Sequence, residues 1–183
     1  MNCVDPIRER EDIQKMYMFL RTQSMRDYLL FKLAIHTGVK LNVLLNLTVY
    51  DVLDEAYDIV VGWKTCETQG ICVVLPERLR EELKAYIVAE HLEVEDLLFQ
   101  SKRTKKGLSR QQAYRIIHAA AVHLGIPHIG LTTLRKTFAY HTYRSGISIT
   151  TIQKYLGHQT VQETWKFIGV DRKAINTIIA LDL

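Results

Sequence analysis

Apolar residues recur at three- and four-residue steps through most of this chain, and the pattern breaks only once. Ile13, Met16, Tyr17, Phe19 and Leu20 mark a first amphipathic helix. Residues 26–36 carry Tyr28, Leu29, Leu30, Phe31, Leu33 and Ala34, with Lys32 as the polar interruption, and Thr37-Gly38 stops that helix. Leu41, Leu44, Leu45 and Leu47 begin another. After Asp54 the texture changes. Residues 58–63 and 71–75 are β-branched runs around a polar connection, which predicts a β-hairpin ended by Pro76. Helical spacing then returns over 78–90. Leu97-Leu98-Phe99 is a short apolar stretch, and Ser109 reads as the N-cap of a helix running to His123. Further helices are predicted over 131–143, 149–156, 161–167 and 172–181. The expected fold class is mainly α with a small antiparallel sheet (α+β), in one domain spanning 1–183.

Composition narrows what such a fold can do. The chain has 183 residues, 48% hydrophobic and 24% charged, which excludes a disordered or fibrous protein. No apolar run approaches the roughly 18 residues of a membrane span, and the Asp- and Arg-containing start is no signal peptide. Cys3, Cys66 and Cys72 form no C-x-x-C, so the expectation is a cytoplasmic protein without a disulfide scaffold. His36, His91, His118, His123, His128, His141 and His158 are scattered, and no metal or cofactor is expected. The sequence holds no G-x-S-x-G, P-loop or G-x-G-x-x-G motif. A net charge of +4 is compatible with nucleic-acid binding.

The remaining chemistry lies in basic residues near helix starts and hairpin ends. Lys64 ends a strand, Arg135 stands early in a helix, and His158 follows Leu156-Gly157. Lys102, Arg103, Lys105 and Lys106 form a basic loop that, with Arg110 and Arg115, offers a phosphate-contacting edge. Singly, each has an ordinary structural explanation as a surface ion pair, a helix terminus or a solvated turn.

Their order along the chain is more specific. The segment Leu131-Thr132-Thr133-Leu134-Arg135-Lys136-Thr137-Phe138-Ala139 resembles the H-x-L-R-[HK]-T-F-[AG] motif of the tyrosine recombinases, the phage integrase family. Ile152-Gln153-Lys154-Tyr155-Leu156-Gly157-His158 is similar to that family's I-Q-x-x-L-G-H. Thr37-Gly38-Val39-Lys40-Leu41-Asn42-Val43-Leu44 resembles T-G-x-R-x-[ST]-E-L, and the predicted hairpin stands where the family carries a catalytic lysine. The resemblance implies the catalytic-domain fold, double-stranded DNA as partner and a phosphate-clamping site. It covers nearly all of the chain, with the family's N-terminal DNA-binding arm expected to be absent.

Carried over position by position, the resemblance assigns Arg135 as the second clamping arginine, His158 as the later histidine and Lys64 as the hairpin lysine. Three family positions are altered. Lys40 replaces the first arginine, Thr132 the earlier histidine, and Phe167 the nucleophilic tyrosine. Phenylalanine has no hydroxyl with which to form a phosphotyrosine. Lysine keeps the charge but lacks the planar fork that holds a phosphate at two points. Threonine cannot relay a proton near neutral pH. Val43 also stands where the family usually has a glutamate.

The resemblance therefore implies a DNA-binding protein that has lost strand cleavage, serving as a repressor-like regulator of a phage or mobile element or as an accessory to an active integrase. Its DNA contacts are expected from Lys40, Lys64, Arg135 and His158, with Lys102, Arg103, Lys105, Lys106 and Arg110 around the rim. Two alternatives stand beside it. One is an active or engineered recombinase, with Phe167 as a replacement or with Tyr140, Tyr143 or Tyr155 attacking from a shifted position. The other is an interaction module whose C-terminal helix, residues 174–183, docks on a second copy or on an active integrase.

Overall fold

A computed structural model of the chain describes residues 4–64, 70–101 and 103–170. Its centre is the helix that the sequence makes apolar on nearly every side. α1 (Arg10–Gln23) and α2 (Met25–Thr37) are separated by Ser24, which caps α2 by accepting the Asp27 N–H. From Tyr28 to Ile35 every residue of α2 is buried, Lys32 included. A helix apolar all round must be enclosed on all sides. α2 accordingly packs against α1, the short α3 (Leu41–Leu45), α4 (Glu77–Ala89) and α6 (Leu131–Arg144). Gly38 ends α2 in the left-handed conformation, φ 60°. A side chain at Gly38 would run into the Phe138 ring, so both backbone freedom and close packing require glycine there.

The predicted hairpin forms, but it is shorter than the two β-branched runs. β1 (Gly62–Trp63) and β2 (Val73–Val74) pair antiparallel, Gly62 opposite Val74 and Trp63 opposite Val73. Residues 58–60 turn the other way: Ile59 bridges to Leu53, and the Val60 N–H donates to the Val52 carbonyl at 2.9 Å. The Asp54 carboxylate causes this by accepting the Ala56 and Asp58 N–H groups, an Asx-type turn that folds the run back on itself. The fold is thus mainly α with one small two-stranded antiparallel sheet.

Two apolar clusters fill the interior. The larger gathers α1 to α5 (Arg110–His123) and the stretch 97–99, whose Leu98 and Phe99 are fully buried beside Leu47. The smaller joins Phe138 and Ala139 of α6 to α7 (Ile149–Leu156) and α8 (Val161–Ile168). α6 serves both, with Leu134 in the first cluster and Phe138 in the second. Residues 4–7 strap its back: the Ile7 N–H donates to Thr137, and the Val4 carbonyl accepts from Lys136 Nζ. Helices predicted at 109–123, 131–143, 149–156 and 161–167 appear within a residue of those bounds. The predicted helix over 172–181 and the turn cysteine Cys66 lie outside the described residues. Among the described residues, no helix is long and apolar enough to cross a membrane.

Lys32, the polar interruption of α2, is tied across to α4. Its ammonium donates to Glu82 Oε2 at 2.6 Å and to the Tyr28 hydroxyl at 2.9 Å, and Tyr28 donates to the same carboxylate oxygen. Removing one partner from such an enclosed pair strands the other charge in the interior. Lys32→Ala should destabilise the fold by about 3 kcal/mol, whereas Lys32→Met combined with Glu82→Gln should cost markedly less. Denaturant unfolding of the three proteins checks this, and equal losses for the single and paired changes would contradict it.

Candidate functional site

Arg135 lies on α6 between the residues that enter the two clusters. Its guanidinium is held by the ends of two other helices. Nε donates to the Gly38 carbonyl at 2.9 Å and Nη2 to the Leu156 carbonyl at 2.7 Å. The last carbonyls of a helix lack intrahelical partners and carry its partial negative charge, so a cation satisfies both needs. The Tyr155 hydroxyl donates to the Thr37 carbonyl, tying α7 to the same end of α2. The Thr37-Gly38 stop and the Leu156-Gly157 stop therefore act together to set one cation.

That cation lines a cavity of about 260 Å³. Lys40, Asn42 and Arg110 also line it, along with Thr132 from the first turn of α6 and the ring of Phe167 from α8. Among the described residues, the lining contains three basic side chains and no carboxylate. Arg110 opens α5, whose start is fixed by a capping box between Ser109 and Gln112, and its Nη1 donates to Asn42 Oδ1 at 3.4 Å. Backbone N–H groups at the start of α6, Thr132 among them, add their dipoles on the same side. The arrangement suits an anion the size of a phosphate.

His158 stands behind Phe167, the two rings meeting edge to face with centroids 4.9 Å apart. Its Nδ1 lies 3.0 Å from Thr164 Oγ1. Burial pushes the imidazole pKa down, and the nearby Arg135 charge adds to this, while Glu163 opposes both. The ring is therefore neutral at physiological pH. Lys136, the residue after Arg135, holds its ammonium 5.6 Å from the Phe167 ring centre.

The structure thus brings Lys40, Arg110, Thr132, Arg135 and Phe167 to one cavity and sets His158 against Phe167. It does not bring Lys64 there. Lys64 is exposed just past β1 and is not part of the lining. Arg103, Lys105 and Lys106 are exposed on a tight loop closed by the Gln100–Gly107 bridge, which leads into Arg110. Lys102 lies outside the described residues. None of the tyrosines considered as shifted nucleophiles lines the cavity. Tyr155 is buried with its hydroxyl engaged, and burial raises that hydroxyl's pKa to about 12. Tyr143 packs on Trp165, and Tyr140 lies against His141 and beneath the Arg8 guanidinium.

Several site residues left no readable mark in the sequence. The two carbonyls that hold Arg135 are backbone atoms. Asn42 and Thr164 are ordinary helix residues until folding sets them beside Arg110 and His158. Lys136 and Asn42 did stand inside quoted motifs, Lys136 directly after Arg135 and Asn42 two residues after Lys40.

Comparison with known proteins gives one consistent answer. A model of the phage integrase family matches residues 8–173. The chain is 36% identical over 171 residues to a Bacillus subtilis protein described as probable integrase/recombinase YoeC, covering 93% of this chain and 92% of YoeC. The crystal structure of XerA recombinase superposes with a TM-score of 0.70 at 25% identity over 93% of this chain and 61% of that one. XerH site-specific recombinase, in a pre-cleavage complex with its difH substrate, shares the fold with a TM-score of 0.69 at 22% identity over 94% of this chain and 52% of XerH. The chain thus spans between half and two thirds of those two recombinases.

The neutral state of His158 carries a pH dependence. Its folded-state pKa lies below the ordinary 6.5, so below that pH the unfolded chain takes up the proton more readily than the folded one. Stability contributed by His158 is full above about pH 6.5 and falls as pH drops toward the folded-state pKa; His36, also lowered chiefly by burial, acts in the same direction. An NMR titration should place the His158 midpoint below 6.5, and a midpoint at or above that value would contradict the burial described here.

Proposed function

The chain belongs to the phage integrase family, and from that premise we propose that it binds duplex DNA through the Arg135 cavity without cutting it. The observation that carries this is the identity of residue 167. Phe167 occupies the cavity beside Arg135 and against His158, where a nucleophile would have to stand, and it has no oxygen to offer phosphorus. Among the described residues, no tyrosine lines the cavity in its place. What is left is a set of cations with the geometry to hold a phosphate.

The contact logic follows from the charges. Arg135, already fixed by two carbonyls, meets a phosphate oxygen with little loss of side-chain freedom. Lys40 and Arg110 add positive charge from α3 and α5, and neutral His158 can contribute a single N–H. Lys64 and the exposed loop residues Arg103, Lys105 and Lys106 would reach the backbone farther along the duplex, with Lys102 beside them. The same fold holds difH DNA in XerH, which supports a duplex as the ligand. Phosphate contacts give affinity and register but no sequence, so target choice would come from neighbouring side chains reaching base edges. A domain that grips DNA without breaking it would act as a repressor-like regulator of a phage or mobile element, or as an accessory to an active integrase.

The test is selection of fragments of the source genome by the purified protein, with a denaturing gel run on the same mixtures. Discrete enriched fragments without a covalent band are expected. A covalent band would return the protein to the recombinases, and no enrichment would point to protein partners. On an enriched duplex, affinity should fall steeply with salt as counterions are released, and a slope near zero would count against phosphate binding. Arg135→Ala should weaken binding by roughly 1–3 kcal/mol, and unchanged affinity would remove Arg135 from the interface. Phe167→Tyr alone should give no cleavage of a nicked substrate, because Lys40 and Thr132 still lack the fork and the proton relay. Robust cleavage by that variant would show that the altered positions matter less than their chemistry implies.

A further inference from the structure

α2 and α7 each stop at a glycine in the left-handed conformation, and the two stops meet beside α6. Two neighbouring residues stand at each stop, Thr37 and Gly38 at the end of α2, Tyr155 and Leu156 at the end of α7. Arg135 bridges one member of each pair by donating to the Gly38 and Leu156 carbonyls. Tyr155 links the remaining two, its hydroxyl donating to the Thr37 carbonyl. We propose that Tyr155 is a positioning residue for Arg135: its hydroxyl ties the two helix ends together and so sets the separation of the carbonyls that hold the guanidinium.

Nε–H and Nη2–H project from one planar group, so the directions of the two Arg135 bonds are fixed relative to each other. Both carbonyls are within reach only while the ends of α2 and α7 keep one spacing, and a hydrogen bond weakens steeply once it is bent. The Tyr155 link is suited to keep that spacing. Thr37 and Tyr155 are both buried, and a last-turn carbonyl has no partner inside its own helix, so the hydroxyl satisfies Thr37 where water does not reach. Burial also holds the hydroxyl's pKa up at about 12, so it keeps its proton through the neutral range. The Tyr155 ring is fixed in turn by Phe138, with centroids 5.1 Å apart, and Phe138 also fills the space where a side chain at Gly38 would stand. Phe138 lies on α6 three residues after Arg135, so one helix presents both its cation and this wedge to the two stops. Phenylalanine at position 155 would keep the ring against Phe138 and remove only the tie.

The consequence for DNA binding rests on the function proposed above. A guanidinium already held in one orientation loses little freedom on meeting a phosphate, whereas a loosened one must be ordered at the moment of binding. Tyr155 would then raise affinity without touching DNA, by acting through Arg135.

The test has two arms. Nitrogen-15 NMR of the unliganded protein in mildly acidic buffer follows exchange of the Arg135 Nε–H with water. Exchange should be slow in the wild type and about tenfold faster in Tyr155→Phe, while the backbone amides of α1, α4 and α5 exchange as before. Unaltered Arg135 exchange in Tyr155→Phe would overturn the proposal without any DNA. So would equal acceleration across those amides, the mark of a merely structural role. In the second arm, affinity for a duplex enriched by the protein is measured in a double-mutant cycle. Tyr155→Phe should weaken binding about fivefold by itself and have no further effect in Arg135→Ala, because the hydroxyl acts through the guanidinium. The same loss in both backgrounds would overturn the coupling. Absence of DNA binding by the wild type would defeat the proposed function and leave the exchange arm to decide on Tyr155. If Tyr155→Phe fails to fold, the wild type decides: the Tyr155 hydroxyl proton and the Arg135 Nε–H should open together, with protection within about tenfold of each other, and a wider gap would overturn the link.

Discussion

The burial of α2 on every side is the constraint from which the rest follows. A helix with Tyr28 to Ile35 all enclosed must be surrounded by α1, α3, α4 and α6, and Lys32, the charged residue of that stretch, must find a partner inside. Glu82 provides it from α4. Because the enclosure leaves no room for α2 to continue, the chain turns out at Gly38, and the carbonyls of Thr37 and Gly38 emerge where α6 and α7 can bind them. The end of the central helix is therefore also the beginning of the site. Packing in the interior and placement of the functional cation are one problem, solved by the same four or five residues.

At the site, positive charge gathers from three helices. Arg135, Lys40 and Arg110 surround a cavity that, among the described residues, holds no carboxylate, and Thr132 and Phe167 share its lining. The phenyl ring meets the His158 ring edge to face, and burial holds that imidazole's pKa below its ordinary value. His158 is thus held between the Thr164 hydroxyl at Nδ1 and the edge-to-face ring of Phe167.

Much of this was legible in the sequence, and the limits have physical causes. Local signals were dependable: Ser109 caps the start of α5, and Gly38 ends α2 in the left-handed conformation. The order of motifs located Arg135, His158 and Phe167 near one another, and the phage integrase family match over residues 8–173 agrees with the resemblance they suggested. The extent of the hairpin was not legible, because β-branched residues at 58–60 look like strand whether they pair forward or backward, and the Asp54 carboxylate decided. Nor was the partner of Lys32, fifty positions away on another helix. Lys64 was placed by analogy with a hairpin whose turn lies outside the described residues, and the structure leaves it exposed and apart from the cavity.

The two carbonyls that hold Arg135 belong to the main chain, and this bears on how such a site can change over generations. Side-chain braces are lost when the residue carrying them mutates, but the Leu156 carbonyl survives almost any replacement that leaves α7 intact. The Gly38 carbonyl is guarded by the steric demand of Phe138, so a change there is resisted by the core before it touches the site. The placement of the guanidinium thus depends on where two helices end rather than on which side chains stand beside it.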